Sequence, residues 1–450
     1  MKHLAGAVLL LLAAFLLPAQ QQQESFDSLF EGEILEEAEE AENGEAGGAV
    51  AETDLFEDEL FEQAGEEPIA PEEAFLLSEQ LEWGGSFDMS FTTQVGWDGY
   101  PNSWKMFSRE GSSSLASRLA ADLYFDARPE RDFRVFGKVK AAYEYPEEWE
   151  IGIFELFSDF QVRDLLFFRA GKQTVQWGVG YFFSPADVLN LVSIDPEDPG
   201  ADREGPIALK AHLPFAAHNA YLYLVANDVD KPYEIAVAPK IELLMGSYEL
   251  GLGAFYQTDL TPKGMLTLTG PLWDLDLFGE AMIQWGSDRT FVRTTTFPLY
   301  ETYTVEQQLL FSGSAGFSYL KSDWNLSLFA QYFYNGQSYE DGRLPSTAVF
   351  ALDAGAITSA DLLYPGRHYL AASIGWSEIG DSALSLSLLY LANLSDGSGL
   401  ITPTVSWAPI DPVTLSSGAR ISYGDSGSEY APLGGSLAWT LSASVGAGRF

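Results

Sequence analysis

From about residue 85 to Phe450 the chain alternates apolar and polar positions in runs of about ten to thirteen residues, each closed by a turn signal. The run over 132–145 shows it most clearly. Phe133, Val135, Val139, Ala141 and Tyr143 alternate with Asp132, Arg134, Lys138, Lys140 and Glu144. Successive side chains of a strand point to opposite faces, so this segment has one apolar and one charged face. About eighteen such segments follow one another, with no amphipathic helix among them. A soluble sandwich rarely needs strands this long and this many. A transmembrane barrel needs roughly 9–11 residues per tilted strand, apolar outward and polar inward. The pattern predicts an all-β fold: a transmembrane antiparallel β-barrel of the bacterial outer-membrane type over residues 83–450, with about 18 strands, or 16 as the alternative.

Strands are expected near 86–97, 114–127, 132–145, 152–163, 165–177, 206–216, 219–228, 234–246 and 247–258. Nine more are expected near 273–285, 288–298, 303–319, 324–335, 367–377, 383–393, 400–408, 412–423 and 436–450. Their connections alternate in length. One set is short, as at 163–164 and 246–247. The other holds the long ones: 98–113, 178–205, 259–272, 337–366 and 424–435. Outer-membrane barrels pair short periplasmic turns with longer external loops. The alternation requires a strand between residues 287 and 299, and it leaves both barrel termini in the periplasm.

The first residues carry an address. Lys2 and His3 precede an apolar run over 4–17, then Pro18-Ala19 and a Gln tract. This reads as a signal peptide over 1–19, too short to span a membrane. Residues 20–82 are rich in Glu, Ala and Gly; from 24 to 82 there are 22 acidic residues and no Lys or Arg. Such a segment has too little apolar surface to offset ordering, and its like charges repel, so a disordered periplasmic segment is expected. Leu-Phe-Glu recurs within it at 29–31, 55–57 and 60–62, a pattern suited to docking a periplasmic partner.

The chain has a net charge of −41, and residues 83–450 hold 43 acidic and 23 basic residues. That balance excludes nucleic acid as a partner. The absence of Cys excludes disulfides and thiolate metal sites. Abundant Gly and an aromatic content of 14% suit barrel bends and membrane-interface girdles. Enzyme chemistry finds little support. The histidines are His3, His212, His218 and His368, and no His-x-x-x-His pair, Gly-x-Ser-x-Gly elbow or P-loop motif occurs. Asp195, Asp198 and Asp202 lack the dense spacing of a calcium loop. No enzyme activity and no cofactor is expected.

Two groups of residues carry candidate function. The polar parity puts Arg118, Arg134, Lys138 and Lys140 on one side of the lumen, and Asp274, Asp276 and Glu280 on the other. Rings of charge are how wide pores select ions. The second group is Arg169-Ala170-Gly171-Lys172-Gln173-Thr174-Val175-Gln176-Trp177-Gly178, followed by Pro185, Asp187, Asn190 and Asp202-Arg203. Trp177 suits the membrane interface, and Gly178 and Gly180 permit a sharp turn. The acidic connection 178–205, with Asp187, Asp195, Asp198, Asp202 and Arg203, is long enough to be functional.

This second stretch resembles the R-x-G-x-Q-x-x-x-W-G … P-x-D … N stretch of porin-like and exporter-like outer-membrane barrels. The resemblance covers about thirty-five residues and implies a structured loop after the strand, with no defined substrate. The third external position of the loop resembles that of the constriction loop of general porins. It implies a loop folded into the lumen, with its carboxylates near Arg134, Lys138 and Lys140. The terminal Phe450 resembles the assembly signal of such barrels. Its phase differs from that of Leu437 to Ala447, and a bulge near 446–448 restores it. The function expected is a channel for small hydrophilic solutes, set in outer-membrane lipid. A closed structural or surface-recognition barrel and a channel for an apolar solute are the alternatives.

Overall fold

The structure is a computed structural model that describes residues 81–96, 113–130, 132–145, 149–163, 165–227, 229–380, 382–410 and 412–449. The expected signal peptide, the acidic segment up to residue 80 and its Leu-Phe-Glu repeats lie outside these residues, as does Phe450. Among the described residues twenty strands occur, in the order β1 Leu81–Gly96, β2 Ser113–Glu130, β3 Phe133–Tyr145, β4 Trp149–Val162, β5 Leu166–Lys172, β6 Ile207–Phe215 and β7 His218–Val225. There follow β8 Ala236–Met245, β9 Tyr248–Phe255, β10 Lys263–Leu272, β11 Leu275–Trp285, β12 Phe291–Thr296 and β13 Leu299–Tyr303. The last are β14 Leu309–Lys321, β15 Leu326–Tyr334, β16 His368–Trp376, β17 Leu384–Asn393, β18 Ser398–Ile410, β19 Val413–Tyr423 and β20 Ser436–Arg449.

Eighteen of them form one antiparallel sheet that closes on itself, because β1 pairs with both β2 and β20. Closure leaves no edge strand, which is what allows a sheet to satisfy its backbone without water. The strand count agrees with the sequence, but one member is exchanged. The segment expected as a barrel strand near 288–298 instead forms, with β13, a separate two-stranded hairpin. The barrel strand in its place is β10, which the sequence pattern assigns to an external loop. Leu266 and Leu268 alternate there with Met265, Thr267 and Thr269, but Pro262, Gly264, Gly270 and Pro271 punctuate the run like a turn. Val-Arg-Thr-Thr-Thr favours extended backbone without saying which sheet it joins.

The faces follow the predicted alternation. Outward positions such as Leu123, Ile151, Ile153, Leu252, Ile283, Phe311, Ile374 and Val405 are exposed and apolar. Tryptophans frame this belt. Trp83, Trp376 and Trp407 lie near the short-turn end of their strands, and Trp149, Trp285 and Trp439 near the long-loop end. An exposed apolar belt between two aromatic girdles is the surface a bilayer covers. Among the described residues no helix is long and apolar enough to cross a membrane, and the strands make the crossing.

At the seam, Gly85 faces Gly448 while Phe87 faces Val445, so β20 carries an extra residue there. This is the bulge expected near 446–448, and it inverts the phase of the residues beyond it. The long connections gather at one end. There the β12–β13 hairpin packs with a short helix, α1 (Ala348–Asp353), around Val292, Ala351 and Ile357.

Candidate functional site

The connection from β5 to β6 runs inward. Lys172 ends β5; its Nζ donates to the Ile153 carbonyl at 2.9 Å and pairs with Glu204 at 2.5 Å. The chain then leaves the wall. Trp177, expected at the membrane interface, is 1% exposed inside the lumen. Its ring meets Tyr223 edge-on at 5.3 Å, and its indole N–H points to the Met265 sulfur at 3.1 Å. With Val175, Ala186 and Leu189 it packs on inner residues of β6 to β11, among them Ala208, Ala236, Ala238, Phe255 and Met282. The strand ends earlier than its alternation suggests, and this inward turn puts the tryptophan in the core.

The tip of the loop crosses to the opposite wall. Phe182 and Phe183 are buried against Phe333, Tyr369, Leu391 and Leu400, from β15 to β18. Tyr181 stacks on Phe329 at 4.3 Å. Between the two apolar contacts lie two polar anchors. The Glu280 carboxylate on β11 accepts from the amides of Val179 (2.9 Å), Gly180 (3.2 Å) and Ala186 (3.4 Å) and from the Ser184 hydroxyl (3.2 Å). Gln331 on β15 accepts from the Phe182 and Phe183 amides and donates to the Phe183 carbonyl at 2.6 Å. Gly178 and Gly180 serve close approach. A Cβ on the first would lie 2.6 Å from Glu280 Oε2, and one on the second 2.0 Å from the Phe183 carbonyl oxygen.

The returning leg is acidic and reaches the basic wall. Glu197 takes a bidentate hydrogen bond from Arg420 on β19, at 2.5 and 2.7 Å. Asp202 pairs with Lys138 and Lys140 on β3, the latter at 2.7 Å. Burial pushes the Asp202 carboxyl up, but the hydrogen bonds from the two lysines outweigh it, and the group sits below the usual range. Asp195 and Asp198 are exposed. Burial raises the Asp198 carboxyl, its neighbour Asp195 raises it further, and Arg118 opposes the shift.

The remaining candidates have other roles. The Asp187 side chain is buried, pairs with Arg203 and accepts from Asn190 at 2.8 Å, so it ties the loop to itself. Its carboxyl is raised by burial, against the pull of Arg203 and Asn190. Asn190 also brackets Val175, accepting from its amide and donating to its carbonyl. Arg134 stays within the wall, bidentate to Asp126 at 2.8 and 2.9 Å and 3.6 Å from Asp159. Glu280, read from parity as pore lining, is 4% exposed because loop donors surround it. Asp274 lies in the β10–β11 turn rather than on the wall, and Asp276 is exposed at the adjoining end of β11. Arg118 is exposed on the inner face of β2.

Sequence reasoning missed Gln331, Arg420, Phe182-Phe183 and Tyr369. A signal existed for two of them. Two adjacent aromatics stand out in an otherwise acidic loop, and Gln331 lies between Phe329 and Phe333 on one strand face.

The fold and this inner loop define a transmembrane β-barrel of the outer-membrane class, and that architecture places the chain in an outer membrane. No family model and no curated protein sequence matches the chain. Among solved structures it is similar to Acinetobacter baumannii OccAB1, at 9% identity and a TM-score of 0.47, over 83% of this chain and 99% of that one. It is also similar to the outer membrane protein OprD from Pseudomonas aeruginosa, at 8% identity and a TM-score of 0.47, over 82% and 94%. A mutant of the Rh. blastica porin gives 8% identity and a TM-score of 0.42, over 82% and 100%.

Proposed function

We propose that the chain is an outer-membrane channel for small hydrophilic solutes, and that the β5–β6 loop is its constriction. One observation carries this reading. The loop crosses the lumen and fills the side formed by β6 to β11 and β14 to β18 with apolar contacts, while its acidic leg turns toward β19 and β3. The sector of β20, β1 and β2 presents polar inner residues. By the parity of their strands these include Thr440, Ser90, Asp88, Arg118 and Asp122. Solutes pass between that sector and Asp195, Asp198 and Asp202. Partial exclusion of water strengthens the field between facing charges beyond its bulk value. Asp195 and Asp198 outnumber Arg118 here, so a mild cation preference follows.

Replacing Asp195, Asp198 and Asp202 with Asn is expected to lower the cation-to-anion permeability ratio in planar bilayers. In the unmodified protein the same ratio falls on acidification, beginning above the ordinary carboxylate range because the Asp198 carboxyl is raised. Unchanged conductance and selectivity in a correctly folded triple variant would rule the constriction role out.

A channel for an apolar solute is disfavoured, because Phe329 and Phe333 pack against Tyr181 and Phe183. Surface recognition has one observation in its favour. Phe297, Leu299, Val349 and Phe350 are exposed around the β12–β13 hairpin and α1.

The organisation proposed for the chain is a signal peptide over 1–19, an acidic periplasmic segment over 20–82 that docks a partner, and the barrel over 83–450. Deleting residues 24–78 is then expected to leave the heat-modifiable mobility of the barrel intact. Failure of that variant to refold in reconstitution would make the segment part of the barrel.

A further inference from the structure

Above the second aromatic cluster lies a carboxylate that the channel reading does not use. Glu429 belongs to the β19–β20 connection. Its Oε2 accepts from the Tyr369 hydroxyl and from Asn393 Nδ2, both at 2.8 Å. Its own amide donates to Asp396 Oδ2 at 2.8 Å. These partners hold two long connections and the four-residue β17–β18 turn. Tyr369 Oη accepts from the Gly366 amide at 2.7 Å, and Asn393 Nδ2 also reaches the Gly342 carbonyl at 3.2 Å, which engages the β15–β16 connection. Asn393 Oδ1 accepts from the Ser395 amide at 2.9 Å, and Asp396 Oδ1 accepts from the Ser398 amide and hydroxyl, which closes the β17–β18 connection. The Tyr430 amide donates to the Ser398 hydroxyl at 3.2 Å.

The charged and titratable groups around Glu429 are disposed as follows. Asp396, Tyr364, Tyr369 and Tyr430 face it. Arg289 acts on it through space only, because its guanidinium donates to the carbonyls of Asp361, Gln337 and Tyr364. Arg343 is held by the Asp396 carbonyl and lies 3.6 Å from Asp425. Arg420 is engaged by Glu197. Among the described residues no ion pair reaches Glu429.

We propose that Glu429 is a proton-sensitive latch for the β15–β16, β17–β18 and β19–β20 connections. Protonated, it holds them closed over the barrel mouth; ionised, it releases them. A charge without a cation, beside the Asp396 carboxylate, must draw in water to be stabilised, and these connections move to admit it. Burial pushes the Glu429 carboxyl up to about 7, although the Tyr369 and Asn393 hydrogen bonds oppose the shift. The sign follows. The closed state binds the proton more tightly than the open one, so closure is strongest below the ordinary value of 4.5 and is lost as pH rises through about 7. The latch reaches the inner loop, because Tyr369 packs on Phe183 at 5.7 Å and Tyr364 donates to the Ile194 carbonyl at 3.0 Å.

The test is hydrogen–deuterium exchange at the amides of Gly366, Ser395, Glu429 and Tyr430, in the full mature protein in detergent micelles and corrected for intrinsic exchange. Between about pH 5.5 and 8.5, one proton linked across this difference raises the opening constant roughly thirty-fold. In Glu429→Gln, which keeps the acceptor and cannot ionise, the constant stays flat and low. A flat profile in the unmodified protein overturns the latch, and so does an equal rise in Glu429→Gln. If Glu429→Gln fails the heat-modifiability check for folding, Tyr369→Phe decides. It removes a donor that favours the carboxylate, so the midpoint must move to higher pH; an unmoved midpoint overturns the proposal.

Discussion

Glu280→Ala is expected to unseat residues 179–186 from the barrel wall and to raise single-channel conductance. The carboxylate accepts four hydrogen bonds from the loop and is 4% exposed. Its removal leaves three amides and a hydroxyl, half-buried or buried, without an acceptor. Each stranded donor costs about 1–3 kcal/mol, so the local penalty is on the order of 4 kcal/mol even at the low end. The aromatic contacts of Phe182 and Phe183 remain, and the loop pivots about them rather than leaving the lumen. Glu280→Gln is the informative companion. It keeps one oxygen for the Val179, Gly180 and Ser184 donors but turns an NH2 toward the Ala186 amide, so an intermediate conductance is expected. Conductance equal to that of the unmodified protein in Glu280→Ala would show that the carboxylate does not hold the loop.

Trp177→Ala acts on the other apolar contact. The ring is 1% exposed and packs against Tyr223, Met265 and the face of Gly253. Truncating a buried tryptophan costs about 3–5 kcal/mol through lost transfer energy and the cavity left behind. Here the loss falls on an element that braces β6 to β11 from inside. The midpoint of guanidinium unfolding in detergent is therefore expected to drop, with proteolysis between residues 173 and 206 appearing before the barrel itself unfolds. An unchanged midpoint would mean that the wall stands without the loop. Phe183→Ala tests the opposite wall and should leave contacts on the Trp177 side intact, because the two clusters share no residue.

The barrel was legible because strand alternation and bilayer thickness are both local constraints. Lipid favours apolar side chains at outward positions, so the phase of Leu123, Ile151 or Ile283 can be read from its own strand. What lay beyond the sequence was non-local. The residues of β12 and β13 prefer extended backbone, but only the pairing of β11 with β14 excludes them from the barrel. Prolines and glycines around β10 look like a turn, and only its ladders with β9 and β11 override them. At the site, alternation puts Lys138 and Lys140 on the polar face of β3, and both pair with Asp202 of the loop. Alternation does not distinguish a wall carboxylate facing water from one enclosed by a loop, and Glu280 is of the second kind. Trp177 illustrates the same limit. An aromatic at the end of a strand suits the membrane interface until the chain turns inward, and that turn is set by the partners waiting across the lumen.

The proposed channel requires a loop that narrows the lumen and leaves an aqueous path beside β20, β1 and β2. Planar-bilayer recording of the purified, refolded protein tests this most directly. The prediction is discrete conductance steps with a mild preference for cations. A folded, heat-modifiable barrel that inserts without any conductance step would contradict it and favour a closed recognition barrel.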